Sequence, residues 1–282
     1  MAYLVLFLGG AAALGPQVDP AALTPAEQAQ SGQGALIVAA IDLAILGTWV
    51  ARARWRGARL WLLTAMVLYG VKTFSSQLEV AFFVQTSHVP PEMLPRLFAM
   101  TLPLCVVWPA LLVWGLGPAE AAPPAPEKSE MALLGRIALA GMVVYPVLFF
   151  TFGYYVAWLQ PAVRVYYGGP EVPLPFLAHL ANEFVHRPAV IPFEMARGLL
   201  WVLLGWPMLR GTRGPWWVGT VLYALTLAFV QNDLQLLPNP LMPPEVRHWH
   251  LIETASSNFL FALMTGVLVR PGSGGLRALA EP

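Results

Sequence analysis

Residues 56–83, RGARLWLLTAMVLYGVKTFSSQLEVAFF, and residues 210–237, RGTRGPWWVGTVLYALTLAFVQNDLQLL, align without a gap at an offset of 154. Arg56-Gly57-x-Arg59 meets Arg210-Gly211-x-Arg213, Val67-Leu68-Tyr69 meets Val221-Leu222-Tyr223, and Gln77-x-Glu79 meets Gln231-x-Asp233. With one residue of slippage Pro90-Pro91-Glu92 meets Pro243-Pro244-Glu245, and upstream Gly15-Pro16 and Val18 meet Gly169-Pro170 and Val172. The register persists through apolar runs and polar turns alike, so the chain reads as an old duplication. Polar residues present in only one half then mark a candidate site.

The rest of the composition says what is duplicated. The 282 residues are 57% hydrophobic and 11% charged, about half the charged fraction of a soluble domain. The apolar residues lie in eight runs, at roughly 2–15, 34–51, 60–85, 96–117, 133–159, 191–209, 215–237 and 248–270. That is the pattern of an all-α membrane bundle. The first run is short, about 14 residues or about 21 Å against a hydrocarbon core of about 30 Å. It lacks the basic start of a signal peptide and is read as a retained helix. Net charge is +1, which gives no field to draw nucleic acid. A single cysteine, Cys105, excludes an internal disulfide and any Cys-pair metal or redox motif.

Lysine and arginine set the orientation. Arg52, Arg54, Arg56, Arg59, Lys128, Arg136, Arg210, Arg213, Arg270 and Arg277 share one side if both termini are cytoplasmic. Residues 118–130, rich in proline and alanine, read as a cytoplasmic linker. The expected organisation is a four-helix repeat at 1–117, the linker, and a second four-helix repeat at 131–282. An even number of spans in each half makes the repeats parallel. Between runs five and six, 176–186 reads as a short helix lying at the surface. Tryptophans and tyrosines near run ends (Trp201, Trp206, Trp216, Trp217, Tyr166, Tyr167) read as an interface belt. Gly141, Gly153 and Gly198 suit close helix packing.

Ionisable groups inside a bilayer are costly and face a partner or a cavity. Asp42 and Lys72 fall near the middle of neighbouring antiparallel runs and read as an ion pair. Their counterparts, Ala196 and Thr226, are neutral together. Glu194 and Arg197 lie at i, i+3 on one helix face, opposite neutral Ala40 and Leu43. In the last run His250, Glu253 and Ser257 share one stripe, and Leu97 and Met100 stand opposite the first two. Counting about 1.5 Å per residue, Glu79, Glu194, Asp233 and Glu253 lie about 5–9 Å below the outer ends of their helices. With Gln77, Gln231, Arg197, His250 and Ser257 they form a candidate outward-facing pocket. Five acids against two bases, Lys72 and Arg197, leave an excess that a proton, a histidine or a bound cation has to neutralise.

A second set, His179, Glu183 and His186, falls at i, i+4, i+7. Folded over the mouth, it could join His250 and Glu253 in holding a divalent metal such as zinc. No P-loop, dinucleotide fingerprint or G-x-S-x-G motif occurs.

Gln77-Leu78-Glu79, FGYYVAWLQPAVRVYYGG from Phe152, Arg197-Gly198-Leu199-Leu200-Trp201 and PNPLMPPEVRHWHLIETASSNF from Pro238 resemble a family of bacterial eight-helix multi-pass membrane proteins with no assigned activity. The resemblance covers most of the chain and is most specific in its last segment. It implies an eight-helix fold and a bacterial inner membrane, and no reaction. The expected function is binding or transport of a small molecule, a cation or a proton. The alternatives are an intramembrane metal-dependent hydrolase or transferase and a structural or assembly subunit. The expected partners are the lipid bilayer and a small molecule or ion.

Overall fold

Local chemistry explains where the helices begin. Thr24 caps helix α2, Pro25–Ala51, with a capping box. Its hydroxyl accepts from the Glu27 N–H at 3.3 Å, and the Glu27 carboxylate accepts from the Thr24 N–H at 2.9 Å. Such a cap contributes about 1 kcal/mol. It starts α2 nine residues ahead of the apolar run, because capped polar helix formers extend a helix beyond the part that greasiness marks. Proline stands at or just before the first residue of α2 and of several later helices, where its missing N–H costs no hydrogen bond.

The computed structural model describes residues 1–16, 24–83, 89–122, 130–239 and 241–270. Residues 123–129 of the expected linker, with Lys128, and Val18 and Arg277 lie outside the described residues. Among the described residues every regular element is helical, apart from one antiparallel bridge between Ala53 and Thr212. Helix α1, Ala2–Leu14, precedes α2. Helix α3, Gly57–Tyr69, runs through a π-helical turn, Gly70–Phe74, into α4, Ser75–Phe82. Helices α5, Leu94–Ala99, and α6, Leu102–Leu116, close the first half. Helix α7, Glu130–Leu139, continues through a π turn, Ala140–Val144, into α8, Tyr145–Phe152, and a second π turn, Gly153–Trp158. Then come α9, Pro161–Tyr166; α10, Phe176–His186; α11, Val190–Gly211; and α12, Trp216–Leu225. Helix α12 ends in a π turn, Thr226–Val230, and a 3-10 turn, Asp233–Leu236, and α13, Pro244–Val269, follows.

Among the described residues four helical segments are long and apolar enough to cross a membrane: Pro25–Ala51, Pro91–Leu116, Met131–Trp158 and Pro244–Val269. A fifth results if α10 and α11, which meet at 98°, form one broken span. By length and composition this inventory is compatible with a membrane protein. The other expected spans fall short for evident reasons. Helix α1 has 13 residues. The 57–82 helix is diluted by Lys72, Ser75, Ser76, Gln77 and Glu79, and α12 with its π turn is short.

One apolar core draws on both halves. Trp49, Leu60, Leu68, Trp201, Met208, Tyr223, Leu227 and Phe261 belong to it, all buried. Helix α3 packs on α6, α2 on α12 and its π turn, α11 on the 140–144 turn, and α13 on α12. Trp201 is 0% exposed, a correction to the belt expectation: it belongs to the apolar core, and its backbone carbonyl accepts from the Tyr223 hydroxyl of α12 at 2.8 Å. The tightest crossing is glycine on glycine. A Cβ on Gly198 would stand 2.0 Å from Gly141 O, and one on Gly141 would stand 2.7 Å from Leu199 N. Gly153, grouped with them by sequence, has nothing within 4 Å of an added Cβ. We therefore expect Gly198→Ala to lower stability by about 1–3 kcal/mol through overpacking against backbone. Gly153→Ala should stay within about 0.5 kcal/mol of the parent. Unfolding midpoints in detergent check the contrast.

Candidate functional site

Apart from Arg164, which donates to the backbone carbonyls of Trp158 and Glu171, the buried charged residues assemble into three groups. The first lies where the halves meet. The π turn at 70–74 carries Lys72 into the bundle interior, as π turns often do at special positions. There Lys72 Nζ donates to Asp233 Oδ1 at 2.5 Å and Oδ2 at 2.6 Å, and lies 3.2 Å from Asp42 Oδ2. Both pairs are wholly buried. Asp42 Oδ2 also accepts from the Tyr3 hydroxyl of α1, while Asp42 Oδ1 has no hydrogen-bond partner. Four elements from both halves converge on one ammonium. Asp233 is presented by the 3-10 turn, which Asn232 anchors. The Asn232 amide donates to Leu227 O at 3.1 Å and Ala228 O at 3.0 Å, satisfying carbonyls of the π turn. Its Oδ1 accepts from Thr254 Oγ1 at 2.5 Å and Gln235 Nε2 at 2.9 Å, which ties the turn to α13.

The second group centres on Arg197 of α11. Its Nη1 donates to Glu194 Oε1 at 3.0 Å and Oε2 at 2.9 Å, and its Nη2 donates to Glu79 Oε2 at 2.6 Å. Glu79 comes from α4 in the other half. Aromatic rings enclose the guanidinium: its Cζ lies 5.6 Å from the Phe193 ring centre and 5.8 Å from those of Tyr145 and Phe149. Phe193 itself stacks on Phe82 at 3.9 Å. Arg197 and Glu194 are buried, whereas the Glu79 side chain is 35% exposed.

The third group is Tyr167, His250 and Glu253. The Tyr167 hydroxyl lies 3.0 Å from His250 Nε2, and His250 Nδ1 lies 3.5 Å from Glu253 Oε2. Burial, aided by the carboxylates of Glu79 and Glu253, pushes the Tyr167 hydroxyl well above the ordinary tyrosine range. Which of the two atoms donates in this contact is set by the His250 tautomer. Glu253 also lies within electrostatic reach of Glu79 and Arg197, so the second and third groups are neighbours.

The carboxylate layer expected from sequence thus divides. Asp233 joins Lys72 and Asp42, whereas Glu79, Glu194 and Glu253 gather around Arg197 and His250. Gln231 bridges the helices, accepting from Asn258 Nδ2 at 3.1 Å and donating to Ser76 Oγ at 3.5 Å. Gln77 Oε1 is buried without a partner. Ser257 turns back on its own helix and donates to Thr254 O at 3.4 Å. A surface hollow of about 480 Å³ lies elsewhere, lined by Ala13, Leu14, Pro95, Arg96 and Ala99.

The metal set does not assemble. Glu183 pairs with Arg187 at 2.7 Å, His186 Nδ1 lies 2.9 Å from Asn182 O, and His179 packs its ring on Tyr154 and Trp158. Each is engaged by a different neighbour. Among the described residues no three His, Cys, Asp or Glu side chains are grouped so as to hold a metal ion.

Three contributors escaped the sequence reading: Tyr3, Tyr167 and the ring cage of Tyr145, Phe149 and Phe193. Aromatics are common in apolar helices, and nothing in their spacing sets these apart. The signal that could have helped was the equivalence of Glu79 and Asp233, each of which takes a base from the opposite half. No family model, curated protein or solved structure matches the chain.

Proposed function

We propose that the chain is an integral protein of a bacterial inner membrane whose buried polar core binds or transports protons or small cations. The observation that carries this reading is the stoichiometry at each base. Lys72 stands between two carboxylates, and so does Arg197. Each group carries one negative charge too many until a proton or a cation completes it, and an uncompensated charge in a dry interior is expensive. The two groups divide the work. Asp42–Lys72–Asp233 is sealed and ties α1, α2, the 70–74 π turn and the 3-10 turn together, which favours a structural lock. Glu79–Arg197–Glu194 is reached from outside through the part-exposed Glu79 and adjoins His250 and Glu253, which favours the exchange site.

Two further observations support the eight-helix, two-repeat organisation within this proposal. The π turns at 70–74 and 226–230 fall within two residues of each other at the offset of 154. The bases also pair crosswise: Lys72 of the first half takes Asp233 of the second, and Arg197 of the second takes Glu79 of the first. Helices α1, 57–82 and 216–230 pack among the five longer spans and bring the total to eight. The resemblance to bacterial eight-helix membrane proteins belongs to the same proposal. The arginine-rich end is its cytoplasmic side.

The test is transport by purified protein in liposomes that enclose a pH-sensitive dye, driven by a proton or sodium gradient. We expect the wild type to dissipate the gradient and Glu253→Gln to fall to the protein-free background with an unchanged unfolding midpoint. Wild-type flux in Glu253→Gln, or wild-type flux equal to empty liposomes, would overturn the proposal.

A further inference from the structure

The two ends of the bundle differ in charge. At one end the segment from α2 into α3 (Arg52, Arg54, Arg56 and, on α3, Arg59) is joined to the end of α11 and the turn after it (Arg210, Arg213). The Arg54 N–H donates to Gly211 O and the Arg213 N–H to Arg52 O, both at 2.7 Å. Residues 119–122 strap across this junction: the Ala122 N–H donates to Arg54 O at 2.8 Å, Arg56 Nη1 donates to Ala119 O at 2.5 Å, and Arg213 Nη2 donates to Glu120 O. Arg136 reaches Leu268 O at 3.4 Å and Arg270 lies 5.8 Å over the Trp216 ring, so both share this end. Among the described residues Glu120 and Glu130 are the acids at this end. At the opposite end Glu27, Glu92, Glu171, Glu183 and Glu245 accompany the arginines.

Arg59 stands at the edge of this basic end with its Cζ 5.1 Å over the Trp55 ring. Arg52 and Arg59 are exposed, and neither has an acidic partner among the described residues. Below Arg59, at i+3 and i+7 on α3, come Leu62, 58% exposed, and Met66, 40% exposed. The opposite face of α3, with Leu60, Thr64, Val67 and Leu68, is buried. A cation therefore caps an outward apolar stripe, with a second guanidinium, Arg56, on the same turn. That is the outline of one phospholipid, its phosphate at the arginines and an acyl chain along the helix. A free phosphate would have no use for the stripe.

We propose that this end of the molecule holds an anionic phospholipid, with its headgroup phosphate at Arg52, Arg56 and Arg59 and an acyl chain against Leu62 and Met66. The site is built by the inter-half junction and stands independently of the proton or cation reading. Each basic residue near a lipid phosphate contributes about fivefold in affinity. The test titrates the full-length protein in detergent with short-chain phosphatidylglycerol, short-chain phosphatidylcholine and inorganic phosphate. Expected are tighter binding of phosphatidylglycerol than of phosphatidylcholine, a loss of about 30-fold for phosphatidylglycerol in Arg52→Gln/Arg59→Gln, and no loss in Arg96→Gln at the opposite end. Leu62→Gln should weaken the lipid, and inorganic phosphate should not displace it. Equal phosphatidylglycerol binding by wild type and the double variant, or full displacement by inorganic phosphate, would overturn the site. Should the double variant fail to fold, Arg59→Gln alone gives the same decision at about fivefold.

Discussion

Lys72→Met should destabilise the folded protein by about 3–5 kcal/mol, the range for removing one partner of a buried ion pair. The side chains are similar in length, so packing changes little and the loss is electrostatic. Two carboxylates, Asp42 and Asp233, both wholly buried, would be left facing each other without the ammonium that now binds both. Asp42 would retain the Tyr3 hydroxyl, whereas Asp233 would lose the two hydrogen bonds it accepts from Lys72. The decisive comparison is a triple variant, Lys72→Met with Asp42→Asn and Asp233→Asn. If stranded charge causes the damage, neutralising both acids should restore most of the lost stability, because replacing a whole buried ionic group is often close to neutral. Unfolding midpoints in detergent give both numbers. A single variant as stable as the parent would show that this group is no lock between the halves.

Arg197→Leu should be as damaging, by about 3–5 kcal/mol, and should also abolish the flux proposed above. The guanidinium serves two carboxylates from different helices through separate nitrogens, Nη1 to Glu194 and Nη2 to Glu79. It also lies among the rings of Tyr145, Phe149 and Phe193. Arg197→Lys separates these contributions. An ammonium keeps the compensating charge but lacks the planar fork that reaches both acids and lies against the rings. We expect Arg197→Lys to keep the fold with a loss of about 1–2 kcal/mol, and Arg197→Leu to lose far more. Glu79→Gln provides the internal control. It removes the part-exposed acid and leaves Arg197 paired with Glu194, so stability should hold while flux falls. Equal stability of Arg197→Leu and wild type would exclude a load-carrying role for this group.

The separation of the Lys72 group from the Arg197 group could not have come from the helix pattern. Glu79 and Asp233 are equivalent in sequence, occupy similar depths and were expected in one pocket. They end in different groups because of the bases they meet. Lys72 projects from a π turn into the junction of the halves, while Arg197 projects from α11 toward α4. The 3-10 turn that carries Asp233 departs from the helical register that the depth estimate assumed. The metal set fared similarly: the i, i+4, i+7 spacing of His179, Glu183 and His186 is real on α10, yet each side chain found its own neighbour.

What sequence alone determined is what depends on neighbours along the chain. The apolar runs, the Glu194–Arg197 pairing at i+3 and the excess of acids over bases were legible, because each follows from a few consecutive residues; the Thr24 capping box is equally local, but the reading by apolar runs, which began at 34, passed over it. Tertiary structure decided the partners. Lys72 meets Asp233 across 161 residues and Arg197 meets Glu79 across 118, and the Gly141–Gly198 crossing sets how closely α11 can approach its neighbours. In a low-dielectric interior an ionised side chain is tolerated only at a compensating partner, and packing alone decides which of several candidates stands within reach.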